Sequence, residues 1–393
     1  MCSHVRVTGT IAFALLVAVT ATGFGQRGQT PAPTSAGNPA DATARIVAAA
    51  QAVLAALDDA GRAKVQFPFE GPQRTKWSNF PSGIFQREGV RLADLSAPQR
   101  AAIDTLLSTA LSADGYRKVK EIMRADGVLA RGQGQGRAGG QPPGAGGPPP
   151  GGGGPPPGGG GPPPGGGGPP PGGGGRGAGR GGNLRFAEDE YFLAFLGTPS
   201  VTTPWMLQFG GHHLAINLTL AGSQATMAPS LPAAQPAVYE FEGKTIRPLG
   251  AENDKAFALI NALNDAQRQQ AVIGSRVADL VLGPGQDGRT IQPEGIRASA
   301  LTGPQQVMLL DIVREWAGIQ HDAFAGPRMA EITTNLLDTF FAWSGPTTTG
   351  SAAYFRIQGP TLVIEYAPQG SVDHIHTIYR DPTNDYGAKF TRK

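Results

Sequence analysis

QREGVRLADLSAPQ at residues 86–99 and QPEGIRASALTGPQ at residues 292–305 are two versions of one segment. Seven of the fourteen positions are identical at a constant offset of 206 residues, and the same offset aligns ALDDA at 56–60 with ALNDA at 262–266. A fixed offset shared by separate segments is the mark of an internal repeat. We therefore predict a duplicated chain of class α+β with two pseudo-equivalent repeats.

Each repeat has the pattern of two helices followed by an antiparallel β hairpin. The second helix of each begins after a cap hydroxyl and a helix-starting proline, at Ser96 and Thr302. Aromatic strand segments follow, and each is succeeded by a hairpin ending in a histidine pair. The first helices are predicted at Ala42–Asp59 and Asp254–Gln270, and the aromatic segments at Tyr191–Phe195 and Tyr354–Ile357.

Two segments stand outside the repeats. Residues 1–26 contain the apolar run IAFALLVAV followed by small residues, which predicts a signal peptide and a periplasmic or secreted protein. Residues 131–182 collapse to Gly, Pro, Gln, Ala and Arg with a seven-residue repeat of PPPGGGG, which predicts a disordered insertion without chemistry. The first repeat is then divided into a helical part at 41–130 and a β part at 183–250, and the second repeat covers 251–393.

The composition of the chain excludes some classes of partner and some kinds of active site. The chain of 393 residues is 40% apolar, enough for a proper core, and its net charge of +3 gives no support to a nucleic-acid partner. The single cysteine, Cys2, precedes the apolar run, so the mature chain has no disulfide, catalytic thiol or cysteine-bound metal. We expect no membrane span in the mature chain.

Four of the six histidines fall in the two predicted hairpins. His374 and His376 would point to the same face of a strand and are close enough to chelate one metal ion. His212 and His213 would point to opposite faces, so only one joins the site unless a bulge at Gly210–Gly211 intervenes. A divalent ion such as zinc, iron, manganese or copper is the cofactor this set suits. Alternatively, neutral histidines hold the two halves together, or act as a metal-free acid or base.

Other polar and aromatic residues near these histidines complete the candidate site. Asp373 and Asp385 are candidate proton-transfer residues beside the metal. A small polar ligand would be held by aromatic, amide, guanidinium and phenol groups. These candidates are Trp205, Gln208, Arg380 and Tyr386.

Motifs near these positions resemble a known family. The segments W-x-x-Q at 205–208, GHHL at 211–214, HIHTIYRDP at 374–382 and NDYG at 384–387 are similar to those of the domain of unknown function 3500 family. That resemblance covers the mature chain except the Pro/Gly tract. It implies a mostly bacterial, often exported protein and carries no activity to these positions.

The leading hypothesis is an exported protein with a histidine metal site between its halves and metal-dependent hydrolase activity. A non-catalytic periplasmic or surface binding protein for a polar ligand is the first alternative. A structural envelope protein is the second. Convergence of three or more of His212, His213, His374 and His376 within about 5 Å in an open pocket favours the enzyme. Dispersed histidines beside an aromatic pocket favour binding, and histidines that are buried and bonded to backbone favour a structural role.

Overall fold

The capping signals at Ser96 and Thr302 each begin a helix in the structure, a computed structural model that describes residues 1, 37–138, 184–274, 276–277 and 279–391. The side-chain oxygen of Gln99 accepts from the Ser96 amide at 2.9 Å, and that of Gln305 accepts from the Thr302 amide at 2.9 Å. Each pair forms a capping box, which satisfies amides that the first helical turn leaves free. The predicted signal peptide at 1–26 lies outside the described residues apart from Met1.

The described residues form a mixed α+β fold with nine α-helices and a mostly antiparallel sheet. The helices are α1 Pro39–Ala56, α2 Asp59–Val65, α3 Ala97–Ala110, α4 Ala113–Ala138, α5 Gly250–Ala262, α6 Asp265–Ala271, α7 Gly303–Ala317, α8 Asp322–Thr334 and α9 Ala388–Thr391. The strands are β1 Gln66–Phe67, β2 Val90–Arg91, β3 Phe192–Leu196, β4 Trp205–Gly211, β5 Leu214–Ala221, β6 Gln224–Thr226, β7 Ser230–Pro232, β8 Tyr239–Phe241, β9 Lys244–Ile246, β10 Ile296–Arg297, β11 Phe340–Ser344, β12 Tyr354–Gly359, β13 Leu362–Pro368 and β14 Ile375–Arg380.

Twelve strands form one sheet in the order β1-β3-β4-β5-β7-β14-β13-β12-β11-β10. Off this path β2 pairs with β3 and β6 with β5, while β8 and β9 form a separate hairpin. Only β1 and β3 run parallel among these described pairings. The centre of the sheet is the short contact of β7 with β14, where Ser230 is paired with Tyr379.

Two details of the sequence prediction are wrong. The helices predicted at 42–59 and 254–270 are each split in two, because Asp58 and Asn264 cap new helices: their side chains accept from the Gly61 amide at 2.7 Å and the Gln267 amide at 2.9 Å. The two histidine pairs also do not occupy equivalent hairpins. One pair forms the turn between β4 and β5, and the other lies at the start of β14.

The repeated glycine of the two aligned segments has a clear steric reason. Gly89 and Gly295 have φ of +104° and +94°, in the region that favours glycine. A Cβ atom would lie 2.2 Å from the carbonyl oxygen of Leu193 at the first position and 2.2 Å from that of Phe341 at the second. In both cases the backbone must approach the neighbouring strand more closely than any side chain permits.

The two faces of the sheet pack against different layers of the fold. Along β4, Trp205, Leu207 and Phe209 belong to the core beneath the helices, whereas Met206 between them belongs to a smaller cluster with Trp77 and residues of the C-terminal segment. Since neighbouring side chains of a strand point to opposite faces, the helices cover one face of the sheet and loops cover the other. Side chains from the helix layer and from the loop layer can therefore meet at the end of the sheet.

Helix α4 continues into the tract predicted to be disordered. It ends at Ala138, so residues 131–138 of the predicted insertion at 131–182 are helical, and the remainder lies outside the described residues. Within the described part of the chain no helix is long and apolar enough to cross a membrane.

Candidate metal centre

His212 and His213 form the two-residue turn that joins β4 to β5. Gly211 and Leu214 on either side are paired partners, and His213 has φ of +60°, in the left-handed region. The expected opposite orientation of the two side chains is wrong, because alternation of faces applies to strand residues and not to a turn. Instead the two rings lie against each other with centroids 3.5 Å apart.

His374 and His376 lie on either side of Ile375 at the start of β14 and turn their rings to one side, with centroids 4.7 Å apart. Their neighbour is the β4–β5 turn: the Nε2 atoms of His213 and His374 are 3.0 Å apart. His213, His374 and His376 each offer a ligand atom within 4.8 Å of the others. Three histidines therefore converge at the end of the sheet where β5, β7 and β14 lie side by side.

A buried carboxylate from α4 holds the turn histidines in place. Asp126 Oδ1 lies 2.9 Å from His212 Nδ1 and 3.2 Å from His213 Nδ1, and the Tyr191 hydroxyl donates to Oδ2 at 2.7 Å. Burial alone would raise the pKa of Asp126, but the hydrogen bonds from the two histidines bring it below its usual value. Asp126 is therefore an acceptor that fixes the Nδ1 proton on His213 and directs Nε2 toward His374.

Two residues from the loop layer contact His376. Asp279 Oδ1 lies 3.2 Å from His376 Nδ1, and Asn79 Nδ2 lies 3.1 Å from His376 Nε2. The side chain of Asp279 is 56% exposed, whereas that of Asp126 is 1% exposed. His213 and His376 are thus buried, and the groups that are partly exposed on the loop side are His374 and Asp279.

The environment keeps His213 and His374 neutral. Burial lowers the pKa of His213 to about 3 and that of His374 to about 4. Neutral imidazoles are the form that binds metal ions, so protons compete little for these nitrogens near pH 7. His213 and His374 therefore have the protonation state of metal ligands without help from a metal.

The spacing of the nitrogens also suits a shared ion. Two ligands bound at about 2.0–2.1 Å with an angle of about 90–109° between them are about 2.8–3.4 Å apart. The 3.0 Å between the Nε2 atoms of His213 and His374 falls in that range. The same distance also fits a hydrogen bond in which His374 donates to His213, so the two states differ by one proton.

The carboxylates singled out from the sequence make other contacts. Asp373 accepts from the amide of Ala237 at 3.0 Å, and Asp385 accepts from Arg380 at 2.8 Å. The carboxylates that the structure brings to the histidines are Asp126 and Asp279. One signal for Asp126 is present in the sequence, because it continues the apolar helical spacing of Val119, Ile122 and Met123 as a lone acid.

Trp205 and Gln208 are packing residues of the first half. Trp205 is fully buried and its indole donates to the carbonyl of Ser200 at 3.0 Å. The Gln208 amide accepts from Gln73 at 2.7 Å and donates to Asn217 at 3.0 Å. Their polar atoms are thus paired within the chain, Gln208 also lines a recess beside Trp77, and the predicted ligand contacts of both residues stay predictions.

Arg380 and Tyr386 belong to an internal network under the loop layer. The Arg380 guanidinium donates to the carbonyl of Leu282 at 2.7 Å and to the carboxylates of Asp287 and Asp385 at 3.0 and 2.8 Å. The Tyr386 hydroxyl donates to Asp287 at 2.7 Å. This network joins residues 380–386 to the loop that contains Leu282 and Asp287. Most donors of the Arg380 guanidinium are thereby used within the chain.

Comparison with known proteins gives one match. A family model described as "Protein of unknown function (DUF3500)" matches residues 39–388, which include every element of the histidine cluster. No curated protein and no solved structure matches the chain. What the site does must therefore be argued from its geometry.

Proposed function

Because the chain belongs to the family of proteins of unknown function DUF3500, we propose its activity from the site alone: His213, His374 and His376 bind one divalent transition-metal ion. The observation that carries this proposal is the convergence of three ligand atoms within 4.8 Å. Zinc is the first expectation, since three neutral imidazoles form a ligand set that zinc enzymes use. Copper, iron and manganese remain the other candidates.

The contacts favour a ligand set over a purely structural role. A structural role calls for ring nitrogens bonded to backbone, whereas the Nδ1 atoms of His213 and His376 face the carboxylates of Asp126 and Asp279. A carboxylate that accepts a hydrogen bond from Nδ1–H leaves the Nε2 lone pair for a metal ion and raises its basicity, as at His213. At His376 the amide nitrogen of Asn79 lies 3.1 Å from Nε2, so this amide must move aside for an ion to bind there. This arrangement of imidazole and carboxylate is the usual surrounding of a metal-binding histidine.

Hydrolysis is the reaction class that the site supports best. A divalent ion held by three histidines has room for water and supplies the Lewis acidity that activates it. Asp279 is the carboxylate that reaches solvent beside His376, so it takes the proton-transfer role in place of Asp373 and Asp385. We give Asp126 a positioning role, since it is buried and bonded to both turn histidines; with His212 and His213 it also forms a second group whose ligand atoms lie within 4.8 Å of one another.

The second candidate is a structural centre. The 3.0 Å contact between His213 and His374 joins the β4–β5 turn to β14 even as a plain hydrogen bond. In that case the chain would be an envelope or binding protein whose histidines hold the sheet together. Metal content separates the two candidates.

We also propose that the protein works in the periplasm or outside the cell and consists of two pseudo-equivalent repeats. The leader-like run at 11–19 supports the first point. For the second, α3 and α7 begin at capping boxes 206 residues apart, and the strand order β3-β4-β5-β7 is followed by β14-β13-β12-β11 in reverse. A small polar substrate remains the expected partner.

The test is metal content of the purified protein by inductively coupled plasma mass spectrometry. The wild type should carry about one equivalent of metal, and His374→Ala/His376→Ala should lose it while keeping the wild-type circular dichroism. His321→Asn is the matched control, because His321 caps α8 outside the cluster and asparagine is also a good cap. Wild-type protein that holds no metal after dialysis against zinc, manganese, iron and copper would sink the proposal.

A further inference from the structure

A cleft on the helix side of the sheet lies outside the histidine cluster. It has a volume of about 170 Å³ and is bounded by the segments on either side of the β8–β9 hairpin, the start of α5 and the loop between β11 and β12. An engineered protein cavity of about 150 Å³ holds one benzene molecule. The cleft therefore has room for a molecule with a single ring.

The cleft is separate from the metal centre because it lies on the other face of β14. Ile375, which stands between His374 and His376, is part of its wall and belongs to the core beneath the helices. Neighbouring side chains of a strand point to opposite faces. A molecule in the cleft therefore packs against Ile375 and does not contact the histidine rings.

Aliphatic side chains form much of the lining, and two of them are left in water. Val238 and Val372 line the cleft and are 49% and 51% exposed. The segments that carry them are joined next to the valines, because the Ala237 amide donates to the carbonyl oxygen and to the carboxylate of Asp373 at 2.9 and 3.0 Å. A ring bound against the two valines would remove apolar surface from water, which favours binding.

The charge of the lining is balanced. Its one charged residue is Arg247, whose guanidinium donates to both carboxylate oxygens of Asp254 at 2.7 Å. Moving a charged ligand from water into such a cleft costs free energy unless an opposite charge waits for it. A neutral ligand is therefore the better match.

Asn253 supplies a polar anchor in the lining. Its Nδ2 atom donates to the hydroxyl of the buried Tyr366 at 3.0 Å, which holds the side chain in place. A carboxamide has two N–H donors and one carbonyl acceptor, so one N–H and the oxygen remain. In the described part of the chain neither has a second partner. Such an amide edge is complementary to another amide, which offers one acceptor and one donor in return.

We propose that this cleft binds a small neutral ring compound that carries an amide, a lactam in the simplest case, and that Asn253 recognises the amide. Apolar walls with a few placed polar groups are the usual composition of a small-molecule site. The inference does not rest on the metal centre, and either site can exist without the other.

The experiment is a titration of the full-length protein with δ-valerolactam, followed by saturation-transfer difference NMR of the ligand. Cyclohexanone is the matched probe, because it keeps the ring size and the carbonyl but has no N–H. The lactam should bind saturably, and cyclohexanone should bind at least about tenfold more weakly, since it leaves the Asn253 oxygen without a donor. Equal affinities, or no saturable binding of the lactam, would overturn the proposal.

Two variants and a crystal structure locate the ligand. Asn253→Leu removes the amide at similar size, so the lactam should lose at least about tenfold in affinity while cyclohexanone binds as before. Val238→Trp fills the cleft and should abolish binding of both probes; its control is Val201→Trp, at a valine that is 51% exposed outside the cleft. Wild-type lactam affinity in Asn253→Leu or Val238→Trp would contradict the assignment. A crystal structure of wild-type protein with the lactam covers variants that do not fold: it should show the amide on Asn253, and a lactam bound elsewhere or absent would refute the site.

Discussion

Replacing Asp126 by asparagine should weaken metal binding without unfolding the protein. The amide keeps the size of the carboxylate and one oxygen acceptor, but it loses the negative charge that attracts the Nδ1–H groups of His212 and His213, whose nitrogens lie 2.9 and 3.2 Å from Oδ1. Loss of such a carboxylate partner typically lowers metal affinity by about 10–100-fold. That range equals about 1.4–2.8 kcal/mol of binding free energy.

The assay is competition for zinc between the protein and a chromogenic chelator, with circular dichroism to verify the fold. Asp373→Asn is the matched control, because the Asp373 oxygen that accepts from the Ala237 amide is retained by asparagine. The control should bind zinc as the wild type does. An Asp126→Asn affinity within twofold of wild type would refute the reasoning that this carboxylate orients the ligands.

Three other predictions concern pH and stability. Burial lowers the pKa of His213 to about 3, below the value of about 6.5 in an unfolded chain. The metal-free protein should therefore lose unfolding free energy as pH falls from about 6.5 toward 3, since in this range the His213 side chain binds a proton only in the unfolded chain. Urea titrations at several pH values should show a smaller loss in His213→Gln. An equal loss in both proteins would contradict the lowered pKa of His213. Lys118→Met should cost about 3–5 kcal/mol in urea unfolding, because Glu252 is fully buried and would lose its ion-pair partner Lys118. Lys118→Met/Glu252→Leu should recover most of that loss, and a double variant as unstable as the single one would count against a charge effect. Gly89→Ala should lower stability by more than about 1 kcal/mol in thermal unfolding, since its Cβ would lie 2.2 Å from a carbonyl oxygen at φ of +104°; a wild-type melting temperature would show that the strand can move aside.

Much of the local structure follows from local signals in the sequence. Capping boxes at Ser96 and Thr302 placed the starts of α3 and α7 because a cap acts within one helical turn. The split of the first helices was also visible in principle, at Asp58 and Asn264 in the repeated ALDDA and ALNDA segments. The meeting of β7 with β14 had no such signal, because a pairing between residues as far apart as Ser230 and Tyr379 leaves no periodic trace in either segment.

Of the candidate site, the sequence predicts only the relative orientation of the two histidines on one strand. Alternation along a strand places His374 and His376 on one side, and the structure has them there with ring centroids 4.7 Å apart. The turn at His212–His213 and the partner Asp126 depend on how β4–β5 packs against α4, which no local pattern encodes. Trp205, predicted as a ligand contact, is a fully buried core residue, a common position for a tryptophan.

The histidines lie where few backbone pairs join the two halves of the sheet, so contacts between their side chains matter for that junction. Between the described halves of the sheet, β7 and β14 share one ladder pair, Ser230 with Tyr379, and the bridge from Ala234 to Ile375 adds a second contact. The histidine cluster crosses the same line, since His213 and His374 are 161 residues apart in sequence and 3.0 Å apart at Nε2. An ion that binds only the folded chain adds about 2.7 kcal/mol of stability at a hundred times its dissociation constant. Metal occupancy would therefore strengthen the link where β7 and β14 share a single ladder pair, so the proposed catalytic role and the alternative structural role would use the same three side chains.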